Sequence, residues 1–384
     1  MKKLLGMILA ATLLLSMLTC VGMAEDYIVI GNIQDISASS SAWGLSYKAG
    51  AEYAVEEINA NGGVNGKLLK VITYDCASDV TEGINAYNRL CDEDGAVAVM
   101  GLISNVGLAL TSISEEKQVP MVTDFMDERC TTNEETGEVY PYMFLTEPSC
   151  NQQAELMAGY AIDVLGATSV AMLYDQSNAY CAAHAEPFKE FCEARGVEVV
   201  ANEAFNTTDN DYRAQMSKII AADPDVLFIS GYTQANARAY QQARLMGYEK
   251  PIVGNNSFCT PFASLVGENV YGVYYPNNVN YDDENVKALV QRYEEENDGV
   301  SPSYHVFFGY DNVKIICDAI ERAGTTDGPE LAKALEETKD VDCLTGSISI
   351  DPETHRPLGL GMWIYEVDGT EYVPLQYFEP EALS

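Results

Sequence analysis

Hydrophobic and polar positions along the chain alternate between two periods, one typical of buried strands and one typical of helices. Short apolar runs such as 27–32 have the length and composition of strands that are buried on both faces. Between such runs, apolar residues recur at helical spacing, as at Tyr47, Ala51 and Ala54 in the segment 44–59. Repeated strand–helix units predict parallel sheets with helices on both faces.

The same pattern continues through most of the chain. The predicted strands are 27–32, 68–74, 96–100, 119–123, 142–145, 169–174, 197–204, 226–230, 252–254 and 272–275. The predicted helices are 44–59, 82–92, 108–117, 152–165, 182–195, 212–222, 235–246 and 306–323. Ten predicted strands are more than a single hydrophobic core usually holds. We therefore expect two α/β lobes. Because no Pro- or Ser-rich linker separates them, we expect several short crossings that act as a hinge.

Composition and charge narrow the class of protein. The chain has 384 residues, 47% of them hydrophobic, and its 22 Lys+Arg against 58 Asp+Glu give a net charge of −36. This is a globular composition. A strongly acidic chain is poorly suited to bind nucleic acid or an anionic membrane, since both need a Lys/Arg surface. We therefore expect no nucleic-acid partner.

The N-terminus has the layout of a targeting segment. Lys2 and Lys3 precede the uncharged stretch 4–23, and small residues follow before the first acidic pair. This layout predicts a signal peptide over residues 1–24 and an exported mature chain, periplasmic or associated with the cell surface. A retained anchor helix is the alternative, since about 20 apolar residues can span a bilayer. A lipid anchor at Cys20 is a weaker alternative, because the bulky Thr before it suits lipidation poorly.

The cysteines of the sequence do not indicate a particular function. Removal of Cys20 with the signal peptide leaves nine of the ten cysteines, so at least one thiol of a monomer stays unpaired. Export permits disulfides, and Cys130 with Cys150 and Cys76 with Cys91 are candidate pairs. No CxxC motif and no Cys/His spacing indicates zinc.

Catalytic motifs are missing from the sequence. Its three histidines, His184, His305 and His355, form no HExxH motif, and neither GxSxG nor a P-loop occurs. An enzyme is therefore disfavoured, and we expect no catalytic residue, no cofactor and no metal.

The loops at the carboxyl ends of the predicted strands are richer in candidate chemistry. Ligands of open α/β sheets bind at this edge. Aromatic rings and small polar residues occur together in the loops 37–43, 101–105, 124–127, 174–180, 231–232 and 254–256. This mixture suits a small amphipathic ligand, because rings bury its apolar part while hydroxyls and amides hold its charged end.

Several motifs resemble those of a known family. They are Gly-Gly-Val-Asn-Gly-Lys at 62–67 after a helix, Tyr-Asp-Cys-Ala-Ser-Asp at 74–79, Pro-Asp-Val at 224–226, and Thr-Gly at 345–346 ahead of Asp-Pro at 351–352. With these motifs the chain resembles, over residues 30–369, the branched-chain amino acid binding proteins, which are type I substrate-binding proteins of ABC transporters.

The resemblance implies a fold of two doubly wound α/β lobes with three hinge crossings and a ligand cleft between the lobes. It divides the chain into an N-terminal lobe of residues 25–145 plus 277–350 and a C-terminal lobe of residues 146–276 plus 351–384.

The resemblance also assigns roles to cleft residues. Trp43 matches the aromatic residue that covers the ligand side chain. Ser104 matches the serine whose hydroxyl and neighbouring amides hold the α-carboxylate, with Asn105 as the alternative because the loop is one residue shorter here. Tyr180 and Tyr232 match two tyrosines of the cleft.

Two departures from the family concern the ammonium group. Asn256 stands where the family usually has an acid, and an amide offers a buried ammonium only a dipole. After the strand 119–123 this chain has Phe125, Met126 and Asp127 in place of a small Ser-Ala-Thr segment. Asp127 could restore the charge or face solvent, and a bulky Phe125 or Met126 would reshape the pocket. Amides, urea-like compounds and carboxylates without an amine are therefore alternative ligands to an aliphatic amino acid.

The resemblance implies a monomeric transport receptor that closes on its ligand and docks on ABC permease subunits. A ligand-sensing module that signals to a partner is the main alternative, since its cleft would look the same. An enzyme is the third hypothesis.

Overall fold

The computed structural model describes residues 27–38, 40–267, 269–359 and 361–381. The predicted signal peptide and Cys20 lie outside the described residues.

The first segment of chain forms a five-stranded parallel sheet in the order β2-β1-β3-β4-β5. Its strands are short, apolar and buried at the centre, as expected of a sheet covered on both faces. The strands are β1 (Ile28–Gln34), β2 (Leu69–Asp75), β3 (Ala98–Gly101), β4 (Met121–Thr123) and β5 (Met143–Leu145), and the helices between them are α1 (Ser41–Ala60), α2 (Val80–Asp92) and α3 (Ser104–Lys117).

The second segment repeats the pattern. Its parallel strands are β6 (Ser169–Asp175), β7 (Glu198–Phe205), β8 (Val226–Ser230), β9 (Ile252–Gly254) and β10 (Val273–Asn277). Its helices are α4 (Cys150–Asp163), α5 (Ala179–Ala183), α6 (Ala185–Ala194), α7 (Arg213–Ala222), α8 (Thr233–Leu245) and α9 (Phe262–Val266). The single helix predicted over 182–195 is in fact two helices, α5 and α6, which meet at His184.

The chain then returns to the first sheet with α10 (Glu284–Glu296), α11 (His305–Ala323) and α12 (Gly328–Glu336). Helix α11 packs closely on α1 because each helix presents a glycine at the contact. A Cβ on Gly50 would lie 1.8 Å from the Val306 carbonyl oxygen, and one on Gly309 would lie 2.0 Å from that of Tyr47. This close approach makes α1 and α11 one unit under the first sheet.

The end of the chain adds small hairpins and two long strands that the sequence pattern did not reveal. They are β11 (Val341–Cys343), β12 (Gly346–Ile348), β13 (Ile350–Asp351), β14 (Arg356–Pro357), β15 (Met362–Asp368) and β16 (Glu371–Phe378). Strands β15 and β16 extend the second sheet antiparallel, in the order β16-β15-β10-β9-β8-β6-β7. The β13–β14 hairpin stays beside the first sheet, where the Leu145 amide donates to the His355 carbonyl at 2.9 Å.

Two α/β lobes result, which confirms the predicted fold class. The first lobe holds the five-stranded sheet with α1–α3 and α10–α12, and the second holds the seven-stranded sheet with α4–α9. The chain passes between the sheets after β5, after β10 and after β14.

All nine cysteines of the described residues carry free thiols, so the candidate disulfides are wrong. The Cys130 thiol instead donates to the Ser104 carbonyl oxygen at 3.6 Å, and the Cys76 side chain is buried in the first lobe.

Candidate ligand-binding cleft

A cleft of about 1840 Å³ opens between the lobes at the carboxyl ends of their parallel strands. The structure brings all eight predicted site residues to its walls: Trp43, Ser104, Asn105, Met126, Asp127, Tyr180, Tyr232 and Asn256. They come from six separate loops of the sequence, which the strand-end rule for α/β sheets brings to one edge.

An aromatic stack forms part of the first-lobe wall. The Trp43 ring lies on His305 with centroids 5.4 Å apart, and His305 lies on Tyr304 at 4.1 Å. Burial lowers the pKa of His305 to about 3, so this imidazole is neutral and packs as an aromatic ring. Trp43 remains 46% exposed, which leaves one of its faces open to a ligand.

The N-terminus of α3 lines the same cleft. Ser104 and Asn105 are the first two residues of the helix, and the Ile103 side chain at the N-cap accepts no hydrogen bond from its amides. The first amides of a helix lack intrahelical partners and carry partial positive charge. This end of α3 therefore suits a carboxylate.

Two tyrosines and an asparagine form the second-lobe wall. Tyr180 and Tyr232 stack with centroids 5.7 Å apart, and Tyr232 is 47% exposed. The Tyr180 hydroxyl donates to Asn256 Oδ1, and Asn256 Nδ2 donates to the Tyr304 hydroxyl at 3.2 Å. Both ends of the Asn256 amide are thus engaged within the protein, and they link the two lobes.

Asp127 is also engaged. Arg129 Nε lies 2.9 Å from one of its carboxylate oxygens, and Arg129 Nη2 lies 2.6 Å from the other. This bidentate pair neutralises Asp127 locally. Met126 is half-buried on the cleft wall.

Phe125 does not reshape the pocket, contrary to expectation. Its ring is 1% exposed and points into the first lobe, where a Cβ added to Gly107 of α3 would meet it at 2.3 Å. The absence of a side chain at Gly107 provides the space that the ring fills.

Two buried acids on the cleft wall were missed by the sequence analysis as site residues. Asp124 directly follows β4 and is 1% exposed, and Glu147 follows β5 by two residues and is fully buried. Asp124 accepts no hydrogen bond on either side-chain oxygen, and Glu147 accepts one, from Asn278 Nδ2 at 2.8 Å. Burial raises the pKa of both carboxyls, and the nearby Glu147 raises that of Asp124 further.

A signal for both acids exists in the sequence, since each comes at the carboxyl end of an apolar strand. That position alone does not distinguish a buried acid from a solvated one.

Comparison with known proteins identifies the family of this chain. The family profile described as periplasmic binding protein matches residues 27–371. The chain belongs to the periplasmic binding protein family.

Among relatives of this periplasmic binding protein, a Leu/Ile/Val-binding protein homologue of Brucella melitensis is 28% identical, over 84% of this chain and 86% of the relative. A leucine-, isoleucine-, valine-, threonine- and alanine-binding protein of Pseudomonas aeruginosa is also 28% identical, over 86% and 87%. Among solved structures, the branched-chain amino acid transporter binding protein LivJ of Streptococcus pneumoniae, in complex with isoleucine, matches at a TM-score of 0.73 and 25% identity, covering 92% of this chain and all of the other. The leucine-binding protein LivK of Thermotoga maritima matches at 0.74 and 26%, covering 92% and 99%.

Within the described part of this periplasmic binding protein, no three His, Cys, Asp or Glu side chains converge in a way that could hold a metal ion. No helix within the same residues is long and apolar enough to cross a membrane.

Proposed function

We propose that this periplasmic binding protein is the substrate-binding component of an ABC transporter, and that its ligand is an aliphatic amino acid, with the branched-chain amino acids first. The observation that carries the proposal is the pairing, in one inter-lobe cleft, of the free N-terminus of α3 with exposed aromatic rings. The names of the Brucella, Pseudomonas, Streptococcus and Thermotoga relatives support the ligand class.

The proposed binding mode follows from the walls of the cleft. The ligand carboxylate lies at Ser104 and Asn105, where helix amides and hydroxyl can donate to it. The aliphatic side chain is covered by Trp43 and by Tyr232 on the opposite lobe. Closure of the lobes excludes water, which strengthens each polar contact with the ligand. The ligand favours the closed state only as far as it binds that state more tightly.

The remaining assignments complete the proposal. The chain is exported by the signal peptide 1–24, acts as a monomer, presents its closed form to membrane permease subunits and performs no chemistry on its ligand. The expected lobes are 25–145 plus 277–350 and 146–276 plus 351–384, and we propose one change, at the last boundary. The third crossing is best drawn just after Pro357, because the β13–β14 hairpin remains beside β5.

A ligand without an amine is the second candidate, favoured by two observations. The Asn256 amide has no charge and is engaged by tyrosines, and Asp127 is paired with Arg129. Neither residue is available as a carboxylate partner for an ammonium group.

The test is a thermal-shift panel on the mature protein after unfolding and refolding, which strips ligand carried over from the host. The panel contains Leu, Ile, Val, Ala and Phe with the matching carboxylates and amides that lack the amine. We expect a rise in melting temperature with at least one of Leu, Ile and Val. Stabilisation by the amine-free compounds alone would contradict it.

A further inference from the structure

The carboxyls of Asp124 and Glu147 interact electrostatically, and the backbone brings the two residues to neighbouring strand ends. Strands β4 and β5 pair in parallel with Thr123 opposite Leu145. One residue further on, the Thr146 amide donates to the Thr123 carbonyl at 2.8 Å, and the Thr146 hydroxyl donates to the same oxygen at 3.0 Å. The residues that immediately follow these two threonines are Asp124 and Glu147, so both acids extend from one hydrogen-bonded point at the strand ends.

The pair lacks a compensating charge. No ion pair to either carboxyl is formed among the described residues, and three of the four side-chain oxygens accept no hydrogen bond there. The ionisable groups that act electrostatically with the pair are all neutral acids whose own pKa values are raised: Tyr47 on α1, Tyr304 before α11, Tyr180 on α5 and Cys150 on α4. A buried acid in this situation costs free energy unless a cation joins it.

We propose that Asp124 and Glu147 together receive the α-ammonium group of the ligand, in place of the side chain at position 256. This inference rests on the proposed function, and it names the group that recognises the amine. Both acids line the same cleft as Ser104, and Asp124 has two unpartnered, buried oxygens there.

The order of strands supports this assignment. In the first sheet, β3, β4 and β5 lie side by side. The end of β3 leads into α3, whose N-terminus suits a carboxylate, and the ends of β4 and β5 carry the two acids. A zwitterion whose carboxylate lies at Ser104 therefore has its ammonium on the side of Asp124.

Binding of the ligand ammonium group by Asp124 and Glu147 releases a carboxyl proton. Burial raises the pKa of both carboxyls, and Glu147 raises that of Asp124 further, so in the empty cleft the pair holds its protons at neutral pH. An ammonium group enters with its own three protons and stabilises one ionised carboxylate of the pair. The carboxyl proton is then released to the buffer, and no covalent bond of the ligand changes. Leucine binding at pH 7 is therefore expected to release about one proton per ligand.

The experiment is calorimetric titration of refolded wild-type protein and of Asp124→Asn and Glu147→Gln with L-leucine and with 4-methylpentanoate, its amine-free analogue. Each titration is run at pH 7 in two buffers of different ionisation enthalpy, which gives the number of protons released. Asp298→Asn and Glu134→Gln are matched controls, because they make the same changes at exposed acids on the rim of the same cleft.

We expect Asp124→Asn and Glu147→Gln each to weaken leucine binding roughly 100-fold or more, as for loss of one partner of a buried charge pair. Affinity for 4-methylpentanoate should change little and its binding should release no proton, and the rim controls should match wild type. Because each substitution removes an uncompensated buried acid, we expect the empty variants to melt no lower than wild type, which distinguishes lost recognition from lost folding.

Two results would overturn the inference in different ways. If both variants bind leucine as tightly as wild type, or if Asp127→Asn alone removes the preference for the amine, the assignment to Asp124 and Glu147 is wrong and the transport proposal stands. If wild type binds 4-methylpentanoate but no amino acid, the inference and the amino acid proposal both fail.

Discussion

At the scale of single residues, the cleft separates side chains that face a ligand from side chains that hold the protein together. Trp43 and Tyr232 keep nearly half of their surface exposed. Asn256 and Asp127 line the same cleft, but hydrogen bonds and an ion pair engage their polar atoms. Presence on the wall is therefore not enough to identify a recognition group; the atoms that remain unpartnered are the better guide.

Replacing Tyr232 by Ala is expected to weaken leucine binding roughly 10- to 100-fold, because an exposed ring in a cleft contributes contact area to the ligand rather than to the core. The melting temperature of the empty protein should stay close to that of wild type. Tyr377→Ala is a matched control, since Tyr377 is also half exposed but lies on β16, outside the cleft. Unchanged affinity in Tyr232→Ala, measured by titration, would remove this residue from the site.

Much of the site could be predicted at this scale, and the part that could not has a physical reason. A Trp or Tyr after an apolar strand indicates a cleft residue, because the strand end fixes its place. An acid in the same place, such as Asp124, is usually solvated in a chain of this charge. Only the three-dimensional structure shows that its oxygens are buried and lack partners.

At the scale of elements, α3 positions both halves of the proposed zwitterion site. Its N-terminus carries Ser104, and its Gly107 lies against the Phe125 ring, which directly follows Asp124 in the chain. The spacing of the helix from β4 thus determines how far the carboxylate site lies from the buried acids.

Gly107→Ala is expected to destabilise the protein by about 1–3 kcal/mol, because the new methyl group would meet the Phe125 ring at 2.3 Å. It should also weaken leucine binding, since relief of the clash moves α3 or the segment around Asp124. Ser112→Ala, on the exposed side of the same helix, should change neither property. Urea unfolding and titration check both effects. Wild-type stability in Gly107→Ala would contradict the packing argument.

The predicted elements were most accurate where the chain repeats strand and helix, and they failed at its end. Helix α10 was missed because Val286, Leu289 and Tyr293 are its only buried side chains, among many charged ones. Apolar and polar residues alternate only weakly along β16, since most of its residues are exposed at the edge of the second sheet. Edge elements bury little surface, so their sequences carry a weak periodic signal.

At the scale of the whole molecule, two sets of buried groups make stability depend on pH in opposite directions. Burial lowers the pKa of His184 to about 4 and that of His305 to about 3. The unfolded chain protonates these rings near pH 6.5, so their contribution to stability is lost as pH falls from 6.5 toward 4. Asp124 and Glu147 have raised pKa values in the folded protein, so their contribution is present at acid pH and lost as pH rises.

Urea unfolding of the empty protein between pH 7 and pH 4 is expected to show both trends. Between pH 7 and pH 4, His184→Gln should lose less free energy of unfolding than wild type. The difference should reach as much as about 3 kcal/mol at pH 4, since a shift of one pKa unit corresponds to 1.36 kcal/mol. In the double variant Asp124→Asn, Glu147→Gln, stability should instead rise more steeply from pH 4 to pH 7 than in wild type. Parallel curves for all three proteins would contradict these assignments.

The most direct test of the account is one calorimetric comparison: refolded wild-type protein at pH 7, titrated with L-leucine and then with 4-methylpentanoate. The two ligands share the carboxylate and the aliphatic chain, so their difference isolates the amine. We predict that leucine binds at least about 100-fold more tightly, because only the ammonium group can join the buried acids. Equal or tighter binding of 4-methylpentanoate would contradict the claim that this cleft recognises an amino acid.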